Sequence, residues 1–304
     1  MTGTVLILGA SGRFGRHAAE AFWNRGWSVR LFDRDTDDLM EAAKGADVIV
    51  NAWNPPYTAW AKEVPELTAQ VILAAKVSGA MVVIPGNVYV YGEGSPGLWQ
   101  STTPHLADNP LGQIRIEMEA AYRASGVKTL VLRGGDFIDT EASGNWFDRI
   151  IAAKLKEGVV VSPGNTEAPH AWAYLPDLAR AAVDLVEMRD RLDTFEEVLF
   201  PGYTLSLTEL SQLIERASGD AVRLKRMSWL PLFLAAPFWP MGRKLIEMRY
   251  LWSMPHRLDD TGFRRHLPAF RATDPLTAVA AAIGKRNVDP DQAVAGRTLG
   301  IAAE

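Results

Sequence analysis

Short apolar runs alternate with longer stretches of helical periodicity along the first half of the chain. The apolar, β-branched runs predict strands at residues 5–8, 28–32, 47–50, 81–84 and 129–132. The helical patterns lie between them, at 16–24, 37–44, 64–77 and 114–124. Strands that alternate with helices are typical of βαβ units, so the pattern predicts an α/β fold with one doubly wound parallel sheet.

The alternation weakens after about residue 140. Helices are predicted at 146–156, 176–187, 207–217 and 228–249, with Asp177 as the N-cap of the second, and one strand is predicted at 159–161. We therefore expect a sheet domain over residues 1–190, with part of 140–175 outside it. A smaller, mostly helical region over 191–286 and a loosely attached tail over 287–304 would follow.

Composition narrows the classes of function. The 304 residues contain 48% hydrophobic and 22% charged residues, which is typical of a globular protein. The chain has no cysteine, which excludes disulfides, thiolate metal sites and cysteine nucleophiles. A net charge of −4 argues against nucleic acid as a general partner. The most apolar later stretch, 230–241, is too short to span a bilayer, and no signal peptide is visible, so we expect a cytoplasmic protein without an integral membrane segment.

One segment departs from this acidic balance. Between residues 221 and 271 there are ten basic residues and three acidic ones, together with several tryptophans and phenylalanines. One interpretation is a lid whose aromatic stripe packs on the sheet domain. The alternative is a surface that binds a membrane or an acidic partner.

A glycine pattern joins the first predicted strand to the first predicted helix. Gly9, Gly12 and Gly15 form G-x-x-G-x-x-G, which permits a tight turn, a close approach of backbone to a pyrophosphate, and close packing of helix on strand. The helix N-terminus would offer free N–H groups to the phosphates. Asp33 lies 24 residues after Gly9, at the end of the second strand, where a carboxylate can accept ribose hydroxyls. The pattern predicts a Rossmann-like dinucleotide site.

The residues near Asp33 bear on the choice of dinucleotide. The Asp33 carboxylate would repel a 2′-phosphate and favours NAD. Arg34 and Arg13 could bind a 2′-phosphate and favour NADP. The balance favours NAD, with NADP as the alternative.

Four segments together resemble the extended and atypical short-chain dehydrogenase/reductases of the NAD-dependent epimerase/dehydratase type. They are the glycine turn with Asp33, the strand and turn M-V-V-I-P-G-N-V-Y-V-Y-G at 81–92, the strand T-L-V-L-R-G-G-D at 129–136, and H-A-W-A-Y-L-P-D-L-A-R-A at 170–181. The resemblance covers residues 1 to about 190. It implies a small-molecule substrate, a mostly helical substrate lid, and a homodimer formed through the helices at 64–77 and 114–124.

The catalytic residues of that family are not conserved in type here. The resemblance places Asn87 where the family has Ser or Thr, Leu111 where it has the acid/base Tyr, and Arg115 where it has Lys. Leu111 cannot transfer a proton. Asn87 can still hydrogen-bond a carbonyl, and Arg115 can bind ribose hydroxyls without deprotonating. The cofactor residues expected on this basis are Gly9, Ser11, Gly12, Arg13, Phe14, Gly15, Asp33, Arg34, Asn51, Ala52 and Arg115.

Other side chains at the carboxyl edge of the sheet could supply the missing acid, since ligands of open α/β sheets bind there. Tyr57, Tyr89 and Tyr91 are the candidate proton donors, because a tyrosine near Arg115 could have a lowered pKa. Tyr89 is grouped with Asn87 and Arg115 as the expected catalytic set. Each such residue also has a plain packing role as its alternative. The residues expected around a substrate are Trp53, Asn54, Tyr57, Tyr91, Asp136, Trp146 and His170.

Three functions are consistent with these residues. The first is an NAD(P)-dependent oxidoreductase or epimerase with a displaced proton donor. The second is a non-catalytic dinucleotide-binding sensor or assembly partner, which is suggested by Leu111 at the position of the acid. The third is a peripheral membrane protein that uses residues 229–252. No G-x-S-x-G or H-E-x-x-H motif indicates a serine hydrolase or a metal site.

Overall fold

A parallel sheet of six strands lies at the centre of the structure, a computed structural model that describes residues 3–284. The strands of the chain, labelled β1–β13 in order, are Thr4–Leu8, Ser28–Phe32, Val48–Asn51, Met81–Gly86, Leu98–Trp99, Thr129–Arg133, Asp136–Ile138, Val159–Ser162, His170–Tyr174, Phe195–Leu199, Tyr203–Leu205, Arg223–Arg226 and Arg257–Leu258. The sheet order is β10-β6-β4-β3-β1-β2, and every pair in it is parallel. The order reverses between β1 and β3, which is where doubly wound sheets bind ligands.

Helices cover both faces of this sheet. The helices α1–α10 are Arg13–Asn24, Leu39–Ala43, Trp60–Ser78, Pro110–Ser125, Leu175–Glu187, Leu207–Ser218, Leu230–Ala235, Pro240–Glu247, Thr261–His266 and Pro275–Ala282. Side chains alternate along each strand. Val5 and Ile7 therefore pack with α1 and α5, whereas Leu6 and Leu8 pack with α3 and α4. The central strands are buried on both faces, which explains their unbroken apolar sequence. The predicted fold class is confirmed.

The remainder forms a lid over the carboxyl edge. It contains a three-stranded sheet in the order β11-β9-β7, two pairs of short strands, and α6 to α8 with α10. A third core fills it, built around Trp172, Trp252 and Ile214. None of the helices between residues 3 and 284 is both long and apolar enough to cross a membrane.

Several predicted boundaries need correction. The main sheet takes its sixth strand from Phe195–Leu199, so the sheet domain does not end at residue 190. The helix predicted at 146–156 is reduced to a single π-helical turn, Phe147–Ile151, and a 3-10 turn. The apolar side chains Phe147 and Ile151 of this segment pack in the lid core. Prolines divide the segment 228–249 into α7 and α8. The predicted tail, 287–304, lies outside the described residues.

Asp177 is not the N-cap of α5. The helix begins at Leu175, and Tyr174 holds the N-cap position. The Asp177 carboxylate instead accepts hydrogen bonds from Arg180 at 2.6 Å and from the backbone N–H of Thr273 at 2.6 Å. It therefore ties α5 to the chain that leads into α10.

A buried charge cluster fixes the carboxyl end of β6. The Arg133 side chain is 0% exposed and pairs with Glu119 of α4 at 2.7 Å and with Glu197 of β10 at 2.8 Å. It also donates to the backbone carbonyl of Asn87. Burial alone would raise the pKa of Glu197, but the Arg133 charge lowers it to about 2. His105, Glu119 and Glu197 have the composition of a metal site, and Arg133 already supplies a positive charge among them.

We predict that Arg133→Met lowers the free energy of unfolding by about 3–5 kcal/mol, because two buried carboxylates lose their counter-charge. The matched control is Arg25→Met, which removes a partly exposed arginine paired with Asp184 and Glu187. That change should cost about 1 kcal/mol or less. Urea unfolding followed by circular dichroism measures both. Equal losses in the two variants would contradict the role given to Arg133.

Candidate functional site

The glycine turn between β1 and α1 builds one end of a cleft. Gly9 has a φ of +76°, a conformation that L side chains rarely adopt. A Cβ on Gly15 would lie 2.1 Å from the carbonyl oxygen of Gly9, so the helix can approach the strand only with glycine there. The N-cap is Gly12, and no side chain caps the helix. The first N–H groups of α1 therefore face the cleft and remain available to an anion.

The cleft extends along the carboxyl edge of the sheet and has a volume of about 1600 Å³. It brings together residues from five separate loops and from the lid. The expected site residues among its lining are Gly9, Ser11, Gly12, Arg13, Phe14, Asp33, Arg34, Asn51, Ala52, Trp53, Asn54, Tyr57, Asn87, Tyr89, Arg115, Asp136 and Trp146. Four other residues singled out in the sequence do not line it: Gly15, Tyr91, His170 and Leu111.

The two arginines considered for a 2′-phosphate are placed differently. Arg13 donates to the carbonyl oxygens of Ser143 at 2.9 Å and Gly144 at 2.7 Å, so its guanidinium is held at that loop. Arg34 follows Asp33 directly, is exposed, and has a 4.0 Å contact with Glu63. Of these two arginines, Arg34 is therefore the one beside Asp33 whose guanidinium is not held by hydrogen bonds to a loop.

Two tyrosines from different loops meet in the cleft. The hydroxyl oxygens of Tyr57 and Tyr89 are 2.6 Å apart, and either can be the donor. Trp60 contacts both rings, with centroid distances of 5.0 and 6.2 Å. The Arg115 guanidinium lies 4.0 Å over the Trp60 ring and donates to Asn54 at 2.8 Å. These contacts hold the two hydroxyls beside a buried positive charge.

Asn87 positions Tyr89. Its side-chain oxygen accepts a hydrogen bond from the Tyr89 backbone N–H at 3.0 Å, at the start of the 3-10 turn Val88–Val90. This turn follows β4 directly, which is how Tyr89 reaches the edge of the sheet. The amide nitrogen of Asn87 does not take part in that bond.

The pKa values of the paired tyrosines are raised, not lowered. Burial raises the pKa of Tyr57 and raises that of Tyr89 well above its usual range, and the opposing effect of Arg115 is smaller. Arg115 does lower both pKa values, as expected, but burial outweighs it, so the expected net lowering is wrong. Both groups are neutral hydroxyls at neutral pH and act as hydrogen-bond donors.

Asp136 reaches the cleft from β7 with a histidine behind it. His170 Nε2 lies 2.7 Å from the Asp136 carboxylate, and its ring is stacked on Trp252 at 4.4 Å. His170 is buried, so any effect on a ligand passes through Asp136. Tyr91 is stacked on Trp99 at 4.3 Å within the core and also lies away from the cleft.

Leu111 is fully buried at the start of α4. Its backbone N–H donates to the Glu247 carboxylate of α8 at 2.5 Å. The lid and α4 are therefore joined at the position where the resemblance implies an acid/base tyrosine.

Some cleft residues gave no local signal in the sequence. Trp60 continues a helical pattern and reads as a core residue. Trp239, Met241 and Leu245 of the lid also line the cleft, far from the glycine turn in sequence. The apolar stretch at 230–241 was the sequence feature that could have indicated a surface role for these lid residues.

Searches with protein-family models and against curated protein sequences gave no match to the chain. Solved structures are similar in fold. MoeE5 in complex with UDP-glucose and NAD has a TM-score of 0.73 at 18% identity, covering 93% of this chain and 98% of that chain. L-threonine dehydrogenase from Phytophthora infestans has a TM-score of 0.70 at 17% identity, covering 93% and 98%. UDP-N-acetylglucosamine 4-epimerase from Bacillus cereus has a TM-score of 0.70 at 15% identity, covering 94% and 100%.

These similarities extend over nearly the whole chain, lid included. The chain thus shares its fold with these epimerase and dehydrogenase structures, and this is the kind of fold that the sequence resemblance implied.

Alkaline titration tests the burial of the tyrosines. Burial raises the pKa of all seven, to about 12 for Tyr174 and Tyr250. In the unfolded chain they ionise near pH ~10. The stability they contribute is present below that pH and is lost as pH rises toward the native pKa values. We expect the free energy of unfolding to fall above about pH 10, by up to roughly 1.4 kcal/mol per pH unit for each tyrosine.

Tyrosinate absorbance measures the same property directly. At about pH 10 the native protein should show little tyrosinate, whereas the urea-unfolded chain should show about half of its tyrosines ionised. Similar absorbance from the native and unfolded chains would contradict the burial.

Proposed function

We propose that the cleft binds NAD and that the protein is an oxidoreductase or epimerase acting on a small molecule. The observation that carries this proposal is the placement of two different features in one cleft. The uncapped N-terminus of α1 with Asp33 lies at one end, and the Tyr57–Tyr89 hydroxyl pair lies among the other lining residues. The similar structures, which include a complex of MoeE5 with UDP-glucose and NAD and an L-threonine dehydrogenase, support the proposal.

The chain's own residues fit a dinucleotide. A side chain at Gly9 would approach the Ala52 carbonyl oxygen to 2.9 Å, so this tight turn at the start of the cleft requires glycine. Asp33 would accept the ribose hydroxyls and disfavour a 2′-phosphate, and Arg34 is the residue that could reverse this choice. Arg115 would bind polar groups near the tyrosines. Bound NAD would supply the hydride acceptor, or donor in its reduced form.

Proton exchange would pass through the tyrosine pair instead of the family's usual tyrosine. Tyr57 and Tyr89 are neutral hydroxyls, so one of them can donate a hydrogen bond to a substrate oxygen while the other supports it. Arg115 would stabilise negative charge that develops on that oxygen. Asn87 holds the turn that carries Tyr89.

A non-catalytic dinucleotide-binding protein is the second candidate. Leu111 favours it, because the position of the family's acid is filled by a buried aliphatic side chain. This candidate needs the cleft to bind NAD but to leave substrates unchanged.

Nucleotide binding is the first test. Isothermal titration calorimetry should show NAD binding, with weaker binding of NADP. Gly12→Val should reduce NAD affinity at least about tenfold, because the side chain would enter the space where the phosphates approach. The control is Gly262→Val, where a Cβ meets nothing within 4 Å. Loss of NAD binding in both variants, or no binding by the wild type, would contradict the proposal.

Substrate turnover separates the two candidates. The first panel is UDP-glucose, UDP-glucuronic acid, UDP-N-acetylglucosamine and L-threonine, with NAD present. On a substrate that turns over, Tyr57→Phe and Tyr89→Phe should each lower kcat about 10²–10⁴-fold with NAD affinity unchanged. The control is Tyr203→Phe, which removes a buried lid hydroxyl bonded to the Thr273 carbonyl.

Unchanged kcat in both cleft variants would contradict this mechanism. If NAD binds but no hydride transfer is seen with the whole panel or with added simple ketones, the non-catalytic candidate is favoured.

A further inference from the structure

The first part of the lid presents apolar side chains to solvent. We call this the lid patch, and it consists of Leu230, Phe233, Leu234, Phe238 and Trp239. Leu234 is 69% exposed and Phe238 is 91% exposed. Single exposed apolar residues are ordinary on a protein surface, but five large ones within ten residues indicate an interaction site.

Basic side chains surround the lid patch. Between residues 221 and 252 the basic residues are Arg223, Lys225, Arg226, Arg243, Lys244 and Arg249, and Glu247 is the one acidic residue. The Arg249 guanidinium lies 5.3 Å from the centre of the Phe233 ring. Glu247 is turned inward, where it accepts from the Leu111 N–H and from Lys244 at 2.9 Å. The exposed charge of this segment is therefore positive, although Glu93 and Asp108 of other loops lie beside Arg226 and Arg249.

The segment that carries the patch is anchored to the rest of the fold. The Tyr250 hydroxyl donates to the Tyr91 carbonyl at 2.8 Å, and Trp229 Nε1 donates to the Pro163 carbonyl at 2.7 Å. Trp239, Met241 and Leu245 line the cleft. The patch thus borders the mouth of the cleft in a fixed position.

We propose that the lid patch docks the protein on an anionic lipid bilayer. Aromatic and aliphatic side chains would enter the boundary between headgroups and acyl chains, and the surrounding Lys and Arg would lie at the lipid phosphates. Protruding apolar residues on a segment with six basic residues and one acidic residue match this occupant.

A second copy of the chain fits the patch less well. A symmetric dimer contact places the same surface on both subunits. The basic borders of two patches would then face each other and repel. An acidic protein partner would satisfy the charges, but the side chain of Phe238 stands out from the surface and does not line a groove.

Vesicle flotation of the full-length protein tests the proposal. We expect the wild type to float with phosphatidylcholine vesicles that contain phosphatidylglycerol, to bind pure phosphatidylcholine less, and to lose binding as salt is raised. Phe238→Glu should weaken binding at least about tenfold, because it replaces an inserted ring with a charge. Arg243→Glu should weaken binding to the anionic vesicles and leave the weak binding to phosphatidylcholine unchanged.

Two control variants are matched to these changes. Trp23→Glu alters an exposed aromatic residue about 15 Å along α1 from its cleft end. Lys76→Glu makes the same charge change as Arg243→Glu, about 24 Å along α3 from its first residue. Both controls should float like the wild type. NAD affinity, measured on every variant, should be unchanged, so a failure of membrane docking is distinguishable from a failure of the proposed function.

Three outcomes would overturn the proposal. The first is that the wild type fails to float with anionic vesicles at low salt, and the second is that Phe238→Glu floats as well as Trp23→Glu. In the third, a wild-type dimer in solution becomes a monomer in Phe238→Glu, which assigns the patch to a second copy.

Discussion

Helix α1 can lie against the end of β1 only because Gly15 carries no side chain where the Gly9 carbonyl oxygen approaches. This contact sets the direction of α1, and the direction of α1 places its free N–H groups at the carboxyl edge of the sheet. The parallel arrangement then brings the loop that follows each strand to the same edge. The glycine turn, the loops after β2, β3 and β4, and the strand β7 all contribute to one cleft.

Leu111 and the tyrosine pair have different surroundings in the structure. Leu111, which the resemblance places at the position of the family's tyrosine, is buried and donates its backbone N–H to Glu247 of the lid. Two tyrosines from other loops instead share a hydrogen bond beside Arg115. Arg133 supports this arrangement from below, because it joins β6 and β10 to α4 and to the loop that holds Asn87. The buried ion cluster therefore contacts the same loop that carries Tyr89, through the Asn87 carbonyl.

Much of the fold was predictable because its signals are local. A few consecutive residues are enough to predict the strands at 5–8 and 28–32 and the glycine turn. The periods of helix and strand also differ clearly in this part of the chain. Strand β10 was missed because Phe195, Glu196 and Glu197 do not form an apolar run, and Glu197 is buried only through its distant partner Arg133.

The candidate site was harder to predict than the fold, because it depends on contacts between residues that are distant in sequence. Sequence position placed Tyr57 and Tyr89 at the correct edge of the sheet, but it could not show that their hydroxyls touch. The sign of their pKa shift depends on how much water reaches them, which is a property of the packed lid. Tyr91 is only two residues from Tyr89, yet the 3-10 turn between them directs it into the core.

The hydrogen bond between Tyr57 and Tyr89 has a consequence for what the cleft can hold. Two hydroxyls that share one bond leave one hydrogen and several lone pairs unused, and either oxygen can be the donor. Rotation of the two hydroxyl hydrogens reverses the polarity of the pair without moving a carbon or an oxygen atom. The same pair can thus present a donor to a ketone or an acceptor to an alcohol. Such a site does not have to rearrange its heavy atoms when its ligand changes oxidation state.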